Sequence, residues 1–422
     1  MKGDQQNDYL VVGVTGPVGS GASTVSRSFE SLGFERHSLS NAIKKELRSQ
    51  KDIECQAEIN ESTVPNFRVK LQDIGNKKRK EKRSYWVDET LKEWNSKSDL
   101  VIASIRNLSE VEELRERFGK HFFLIAVHAS KSKRWIRLQE AYGKDQGKFD
   151  RDDLRDSDED LPEGQQVSHC VQAADYVYVN ENEGGSESSR EKTISKHLQE
   201  QIPLCRNSMS YPSEKGSEGL RPAKPDEVHM ATCYAQSFNS QCMKRLVGAV
   251  IVDHHNIPLS LGYNENPGEM KPCISLYKYC YKDEDMHNKL EKMKNVRCPE
   301  CGEKQEKMDS PWKCCNTSCG INLKLRFFPS RNMGLCTAIH AEERAIRSLG
   351  NRSAENATIF ATTFPCFQCS RYIVDAGIKR VVYVEAYPVT EALEFLEKNE
   401  IKVEPFQGFK ARAFHLVFRQ RS

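Results

Sequence analysis

Two short pieces of the sequence carry residues whose types and spacing could hold a metal ion beside an acid. They are residues 340–342, His-Ala-Glu, and residues 365–369, Pro-Cys-Phe-Gln-Cys. One imidazole and two thiolates can hold a tetrahedral zinc ion and leave one position open for water, as catalytic sites do; these ligands are His340, Cys366 and Cys369. Glu342 stands two residues past the histidine, close enough to reach that water without binding the metal. The spacing therefore predicts a catalytic zinc ion.

The order H-x-E followed by P-C-x-x-C is typical of zinc deaminases, in which the glutamate carries protons. Zinc would lower the pKa of its water towards neutrality. Glu342 would take a proton from that water, pass it to a nucleobase ring nitrogen and later protonate the departing ammonia. A purely structural zinc is disfavoured, because an acid stands beside an open metal position.

The elements that position these ligands read as a sheet with helices. Each piece opens a helical stretch, and a strand-like run, residues 357–363, lies between them. Residues 246–253 and 258–264 are predicted to form a hairpin before them, and further strands are expected at 380–385 and 401–406. Strands alternating with helices predict an α/β domain.

A second group of cysteines lies in a predicted insertion, residues 273–332. Two cysteine knuckles about a dozen residues apart indicate a structural Cys₄ zinc ribbon. The ligands are predicted to be Cys298, Cys301, Cys314 and Cys319. Cys315 is the alternative third ligand; Cys314 is preferred for its wider spacing from Cys319.

The beginning of the chain carries a phosphate-loop pattern between a buried strand and a helix. The nucleotide-binding residues are predicted to be Gly16, Gly19, Ser20, Gly21, Ala22, Ser23 and Thr24. Ala22 stands where the pattern has lysine, so the γ-phosphate lacks its usual cation. We expect a nucleotide held by backbone amides without phosphoryl transfer; the alternative is a working kinase in which Lys44 or Arg83 replaces the lysine.

Length and composition set the wider frame. The chain has 422 residues, a net charge of +3 and 15 cysteines, which predicts two or three domains with reduced thiols and bound metal. We assign residues 1–204 to a P-loop kinase-like domain with a parallel sheet, 205–225 to a linker, and 226–422 to the zinc domain. The basic run 77–83 is read as a solvated helix face, with phosphate or nucleic-acid contact as the alternative. No leader or membrane span is visible, so we expect a cytoplasmic protein.

The zinc domain resembles the deoxycytidylate deaminase family through residues 262–267, Gly-Tyr-Asn-Glu-Asn-Pro, the His340 helix and the run Thr-Thr-Phe-Pro-Cys at 362–366. By this resemblance, the fold is cytidine-deaminase-like α/β/α, and Asn264 contacts the substrate sugar or base. The first 204 residues resemble the nucleoside-monophosphate-kinase branch of P-loop proteins.

The two halves together resemble the bacterial anti-phage dCTP deaminases. That resemblance implies conversion of dCTP and dCMP to dUTP and dUMP, depletion of the dCTP pool, and in some systems an inhibitory small RNA. We also expect a homo-oligomer, one catalytic and one structural zinc, and a regulatory P-loop domain. Two alternatives stay open, an enzyme that edits bases in RNA or DNA, and a non-enzymatic nucleotide sensor. The low net charge argues against the first, and Glu342 against the second.

Overall fold

The structure is a computed structural model of the whole chain. It describes residues 9–49, 67–95, 97–157, 163–181, 186–209, 221–277, 280–281, 288–289, 292, 294–307, 314–316, 319, 323, 336–385 and 390–418. None of the helices in this described part is long and apolar enough to cross a membrane.

The chain divides into two compact units. The first unit consists of Met1–Val228 together with Pro405–Ser422, and the second unit of His229–Glu404. The second unit is therefore inserted into the first, and the chain crosses between them twice.

A six-stranded sheet forms the centre of the first unit. Its strands are β1 (Val11–Thr15), β2 (Glu35–Ser38), β3 (Leu100–Ala103), β4 (Phe122–His128), β5 (Tyr176–Val179) and β13 (Gly408–Phe409). The order across the sheet is β2-β3-β1-β4-β5-β13. The first five strands run parallel, whereas β13 is antiparallel to β5. The predicted parallel sheet is thus mixed at one edge.

Helices cover this sheet because its central strands β1, β3 and β4 are apolar and buried on both faces. They are α1 (Ala22–Glu30), α2 (Leu39–Ser49), α3 (Phe67–Glu81), α4 (Tyr85–Leu91), α5 (Leu108–Phe118), α6 (Lys131–Leu138), α7 (Gln146–Ser157), α8 (Val167–Ala173), α9 (Glu187–Met209) and α15 (Ala411–Val417). The basic run on α3 is only partly solvated, since Arg79 is buried and pairs with the equally buried Glu110 at 2.8 Å.

The second unit contains a five-stranded sheet in the order β12-β11-β10-β6-β7. Its strands are β6 (Gly248–Val252), β7 (Pro258–Tyr263), β10 (Thr358–Thr363), β11 (Arg380–Glu385) and β12 (Lys402–Pro405), and a separate ribbon pairs β8 (Lys294–Arg297) with β9 (Lys304–Lys307). The helices are α10 (Pro225–Ser237, which begins in the first unit), α11 (Cys273–Leu276), α12 (Ala341–Arg347), α13 (Phe367–Asp375) and α14 (Thr390–Lys398). The predicted α/β class of both units is confirmed.

Two glycines allow helices to approach the second sheet closely from opposite sides. A Cβ on Gly262 of β7 would lie 2.1 Å from the Ala341 carbonyl oxygen of α12, and one on Gly248 of β6 would lie 1.9 Å from the Cys233 carbonyl oxygen of α10. Neither position accepts a larger residue without moving a helix. The helix that carries His340 and Glu342 is therefore held directly against β7.

The domain boundaries differ from the predicted ones at two places. Helix α9 continues to Met209, five residues beyond the predicted end of the first domain. Residues from Pro405 onward belong to the first unit rather than the second, because β13 pairs with β5 and Phe409 enters the core of the first unit. Residues 210–220 of the predicted linker, and parts of the predicted insertion 273–332, lie outside the described residues.

Candidate active site and phosphate loop

The three predicted zinc ligands lie together at the beginnings of two helices. His340 is the residue before α12, and Cys366 is the residue before α13; neither side chain makes a capping hydrogen bond. The His340 Nδ1 atom lies 3.3 Å from the Cys366 sulfur and 3.4 Å from the Cys369 sulfur. With normal bond lengths, nitrogen and sulfur ligands of one tetrahedral zinc ion are about 3.6 Å apart. These residues therefore fit the ion.

The chemistry of the donor set supports the same fit. A hydrogen bond with Cys369 and the neighbouring His340 ring lower the pKa of the Cys366 thiol to about 4, so Cys366 favours the thiolate form that a metal ligand requires. The first turn of α13 adds the positive end of the helix dipole.

Glu342 lies in the first turn of α12 and is only 4% exposed. Burial raises the pKa of its carboxyl to about 7. A carboxyl group with a pKa near neutrality can both accept and donate a proton at that pH. The side chain lines the same cavity as His340 and Cys366.

That cavity has a volume of about 110 Å³. Its wall includes Asn264, whose side-chain oxygen accepts a hydrogen bond from the Val247 amide at 2.8 Å and whose amide group donates to the Arg245 carbonyl at 3.0 Å. Asn264 thus holds the chain that enters β6 and faces the cavity as well.

The sequence analysis missed two cations that line the cavity, Lys244 and Arg245. Arg245 also pairs with Glu385 at 3.1 Å. The sequence could have indicated these two residues, because they are adjacent basic residues shortly before β6, the first strand of the sheet in the second unit. Positive side chains beside a zinc site suit a substrate that carries phosphate.

The four predicted ribbon cysteines also come together. The sulfur atoms of Cys298 and Cys319 are 3.8 Å apart, and those of Cys301 and Cys314 are 3.6 Å apart. Thiolates of one tetrahedral zinc ion are about 3.8 Å apart, so this group fits a closed site. Cys315 points elsewhere, with its thiol donating to the Lys304 carbonyl oxygen.

The phosphate loop connects β1 to α1 as predicted. Gly16, Gly19 and Gly21 all have positive φ angles, of 153°, 79° and 92°. The Ser20 hydroxyl is fully buried and has no hydrogen-bond partner in the described structure. A Cβ on Gly16 would lie 2.7 Å from that hydroxyl oxygen. The Ser20 hydroxyl is therefore a buried polar group in a loop whose backbone requires glycine at positions 16, 19 and 21. A loop that binds phosphate has these features.

Ala22 begins α1 at the lysine position, and the cations that contact the loop are arginines on α6. Arg134 donates to the Val18 carbonyl at 3.2 Å, and Arg137 donates to the Gly19 carbonyl at 3.1 Å. Asn180 donates to the Ser20 carbonyl at 2.7 Å. These side chains bond the loop through its carbonyl oxygens, and the Ser20 amide donates to the Pro17 carbonyl at 3.0 Å. The amides at the start of α1 have no partner within the helix and can bind an anion.

Comparison with known proteins supports both units. Residues 223–385 match the model of the cytidine and deoxycytidylate deaminase zinc-binding region, and residues 12–159 match that of the AAA domain. The deoxycytidylate deaminase of Saccharomyces cerevisiae is 27% identical over 233 residues, which are 55% of this chain and 57% of the yeast protein. The chain thus spans little more than half the length of that relative, and 37% of the Schizosaccharomyces pombe deoxycytidylate deaminase.

A crystal structure of dCMP deaminase from the cyanophage S-TIM5 in complex with dCMP and dUMP aligns with 44% of this chain and 99% of its own, at 22% identity and a TM-score of 0.27. A UPF0200 protein of Pyrobaculum aerophilum is 31% identical over 182 residues, which are 43% of this chain and 93% of that protein. The chain therefore belongs to the UPF0200 family, and in the same polypeptide residues 223–385 match the cytidine and deoxycytidylate deaminase zinc-binding region.

Proposed function

We propose that this protein hydrolyses the exocyclic amine of deoxycytidine nucleotides, converting dCMP and dCTP to dUMP and dUTP with release of ammonia. One observation carries the proposal. The buried carboxyl of Glu342 lies at a cavity of about 110 Å³ beside a three-ligand cluster that fits a catalytic zinc ion. A bound zinc ion would supply Lewis-acid activation of water.

Glu342 has the central role among the residues of the chain. Its carboxylate takes the proton of the attacking water and delivers it to the ring nitrogen of the cytosine. The same carboxylate then takes the proton of the hydroxyl group now at C4 and delivers it to the amine, so that the C4–N bond breaks, ammonia departs and a carbonyl group remains at C4. Burial of Glu342 keeps bulk water from competing for these protons.

Substrate binding is assigned to the cavity wall. The two hydrogen bonds of Asn264 use one of its two N–H groups and one oxygen lone pair, so the amide can also contact the sugar or base of a nucleotide. Lys244 and Arg245 can neutralise phosphate charge. The match to deoxycytidylate deaminases supports a free nucleotide, as does a net charge of only +3, which is small for a protein that binds polynucleotides.

The biological role follows from the substrate. Deamination of dCTP and dCMP would deplete the precursor that a replicating phage needs for DNA synthesis, as the resemblance to anti-phage dCTP deaminases implies. The homo-oligomer, the inhibitory small RNA and the cytoplasmic location stay predictions.

Replacement of Glu342 tests the activity. We expect Glu342→Gln to keep its zinc content by elemental analysis and to lose deamination of dCMP and dCTP by at least about a hundredfold, because a general acid and base is removed. Glu343→Gln is the matched control, since Glu343 is the adjacent buried acid and pairs with Arg347. It should stay within about threefold of the wild type.

The same assay includes single-stranded DNA and RNA that contain cytosine. Turnover of a polynucleotide at a higher kcat/KM than dCMP would replace the proposed function with base editing. A wild-type protein that deaminates neither free nucleotides nor polynucleotides would leave the sensor as the remaining alternative.

For the phosphate loop, we propose nucleotide binding without phosphoryl transfer. Ala22 supplies no cation, and both arginines that contact the loop already donate to its carbonyl oxygens. Stabilising the phosphoryl-transfer transition state requires a cation on the phosphate oxygens.

A radiolabelled γ-phosphate assay on full-length Glu342→Gln tests this proposal, with each deoxynucleoside monophosphate as acceptor. We expect no transfer above background from the Ala22 loop. Ala22→Lys restores the cation and serves as the comparison. Transfer at about 1 s⁻¹ or faster by the protein with Ala22 would identify a kinase instead.

A further inference from the structure

The phosphate loop is bonded to Asn180, the residue that follows β5, and β5 is the strand beside which the chain returns from the second unit. The Ser20 carbonyl of the loop accepts from the side chain of Asn180 at 2.7 Å. Arg137 adds a second connection, because its guanidinium donates both to the Gly19 carbonyl and to the Asn180 carbonyl, at 3.1 and 2.7 Å. Asn180 is therefore held to the loop through its side chain and its backbone.

Contact between Asn180 and the loop is also steric. A Cβ on Gly21 would lie only 2.2 Å from the Asn180 side-chain nitrogen. The loop therefore cannot shift towards Asn180 without displacing it. An anion that draws the Gly21 amide inward would change the position that Asn180 can adopt.

Asn180 directly follows β5, and the last residue of that strand meets the returning chain. The Val179 amide donates to the side-chain oxygen of Gln407 at 3.0 Å. Gln407 is the third residue after Glu404, where the second unit ends. The next two residues form β13, which pairs with β5. The path from the loop to the returning chain is thus Ser20, Asn180, Val179 and Gln407.

The segment that leads from the first unit into the second, which ends at Val228, is also hydrogen-bonded to β13 at the β5 edge of the sheet. Glu227 is fully buried and accepts a hydrogen bond from the Phe409 amide of β13 at 2.9 Å. Arg221 holds the same carboxylate with two bonds, of 2.7 and 2.8 Å. Glu227 stands two residues before His229, where the second unit begins. Both covalent connections between the units therefore meet at the β5 edge, next to the residue that holds the phosphate loop.

We propose that a nucleotide bound at the phosphate loop changes the activity of the second unit through Asn180 and Gln407. This inference rests on the proposed deaminase function for its activity readout, but the connection itself can be measured without turnover. An effector acts only through its different affinity for two states of the protein. The states here differ in whether Asn180, and with it the Val179–Gln407 bond, keeps its present position.

The test compares two substitutions at Gln407, which is half-buried and outside both sites. Gln407→Leu removes the acceptor for the Val179 amide at similar size. Gln407→Glu keeps an oxygen acceptor and is the matched control. Melting temperature establishes that both variants are folded, and equilibrium dialysis with each of the four ribonucleoside triphosphates establishes that the loop still binds.

Two readouts are then taken with and without those triphosphates. The first is kcat/KM for dCMP, and the second is amide hydrogen exchange of residues 402–404, the part of β12 that belongs to the second unit. In the wild type and in Gln407→Glu, we expect one triphosphate to change kcat/KM by at least about fivefold, the usual lower range for coupled sites, and to change amide exchange at residues 402–404. In Gln407→Leu, we expect both responses to be lost.

Equal responses in Gln407→Leu and the wild type would overturn the proposal. So would a wild-type protein in which none of the four triphosphates changes either readout. If dCMP is not deaminated at all, the proposed function fails, while the exchange measurement still decides whether Gln407 connects the loop to β12.

Discussion

At the scale of single residues, the predicted zinc ligands come together because two of them lie at the N-termini of helices. His340 and Cys366 both occupy the position before a helix, with extended backbone angles and no capping hydrogen bond. That position normally takes a side chain that satisfies free amides of the first turn. Here both side chains point instead towards a shared point. Cys369, one turn further along α13, faces the same point because helix residues three apart lie on one face.

A second residue-scale property concerns His128, the last residue of β4. Burial lowers the pKa of His128 to about 4, and the nearby Arg134 adds to the effect although Glu181 opposes it. Between pH 6.5 and pH 4 the unfolded chain binds a proton at this residue and the folded chain does not. Stability is therefore lost as the pH falls through this range.

We predict that His128→Gln flattens the pH dependence of stability. The wild type should lose about 3 kcal/mol more than the variant between pH 6.5 and 4. Urea unfolding at a series of pH values, followed by tryptophan fluorescence, measures the difference. His254→Gln, at an exposed hairpin residue, controls for the loss of a histidine. Parallel curves for wild type and His128→Gln would show that His128 binds its proton over the same pH range in the folded and unfolded chains.

At the scale of elements, the β8–β9 ribbon places two adjacent cysteines, Cys314 and Cys315, in different surroundings. Cys314 lies with three other thiols and also accepts a hydrogen bond from the Gln305 side chain at 3.4 Å. The Cys315 amide donates to the same glutamine at 2.8 Å. Gln305 therefore orients the pair so that only Cys314 faces the metal position.

We predict that Cys314→Ser removes one zinc ion per chain and lowers the melting temperature, because zinc-binding free energy at a closed site is folding free energy. Cys315→Ser is the matched variant and should keep both zinc ions and the wild-type melting temperature. Elemental analysis and thermal unfolding measure both. Loss of metal from Cys315→Ser alone would exchange the two assignments.

At the scale of the whole molecule, the C-terminal segment completes the first unit. Phe409, Ala413 and Val417 are buried in the core formed around β1, β4 and β5. Lys410 is also buried, and its ammonium donates to the Val171 and Gln172 carbonyls at 3.0 and 2.7 Å. The first unit therefore consists of two separate parts of the sequence.

We predict that truncation after Glu404 destabilises the first unit by at least 5 kcal/mol or so, since each large apolar side chain contributes about 1.5–3 kcal/mol on burial. Amide protection in β4 and β5 should fall, while zinc bound at the His340 cluster is retained. Truncation after Phe418, which keeps α15, is the control. Unchanged protection after removal of residues 405–422 would show that the first unit is stable without its sixth strand.

The sequence by itself was sufficient for the local features. The Cys366 and Cys369 pair, the Cys298 and Cys301 pair and the phosphate loop each depend on spacing within one turn or one tight loop, and such spacing places side chains whatever surrounds them. Strands β1, β10 and β11 were likewise foreseen, because short apolar runs between turn residues form buried strands in most contexts. The α/β class follows from their alternation with helices.

Only the tertiary structure decided which distant segments meet. Val179 and Gln407 are 228 positions apart and Glu227 and Phe409 are 182 apart, and a residue's type does not encode its partner at such separations. The run before Gln407 reads as the last strand of the zinc domain, so residues 405–422 were assigned to it. Their return to the first unit depends on an unpaired edge of β5 that accepts β13, and an unpaired edge exists only once the other strands have assembled.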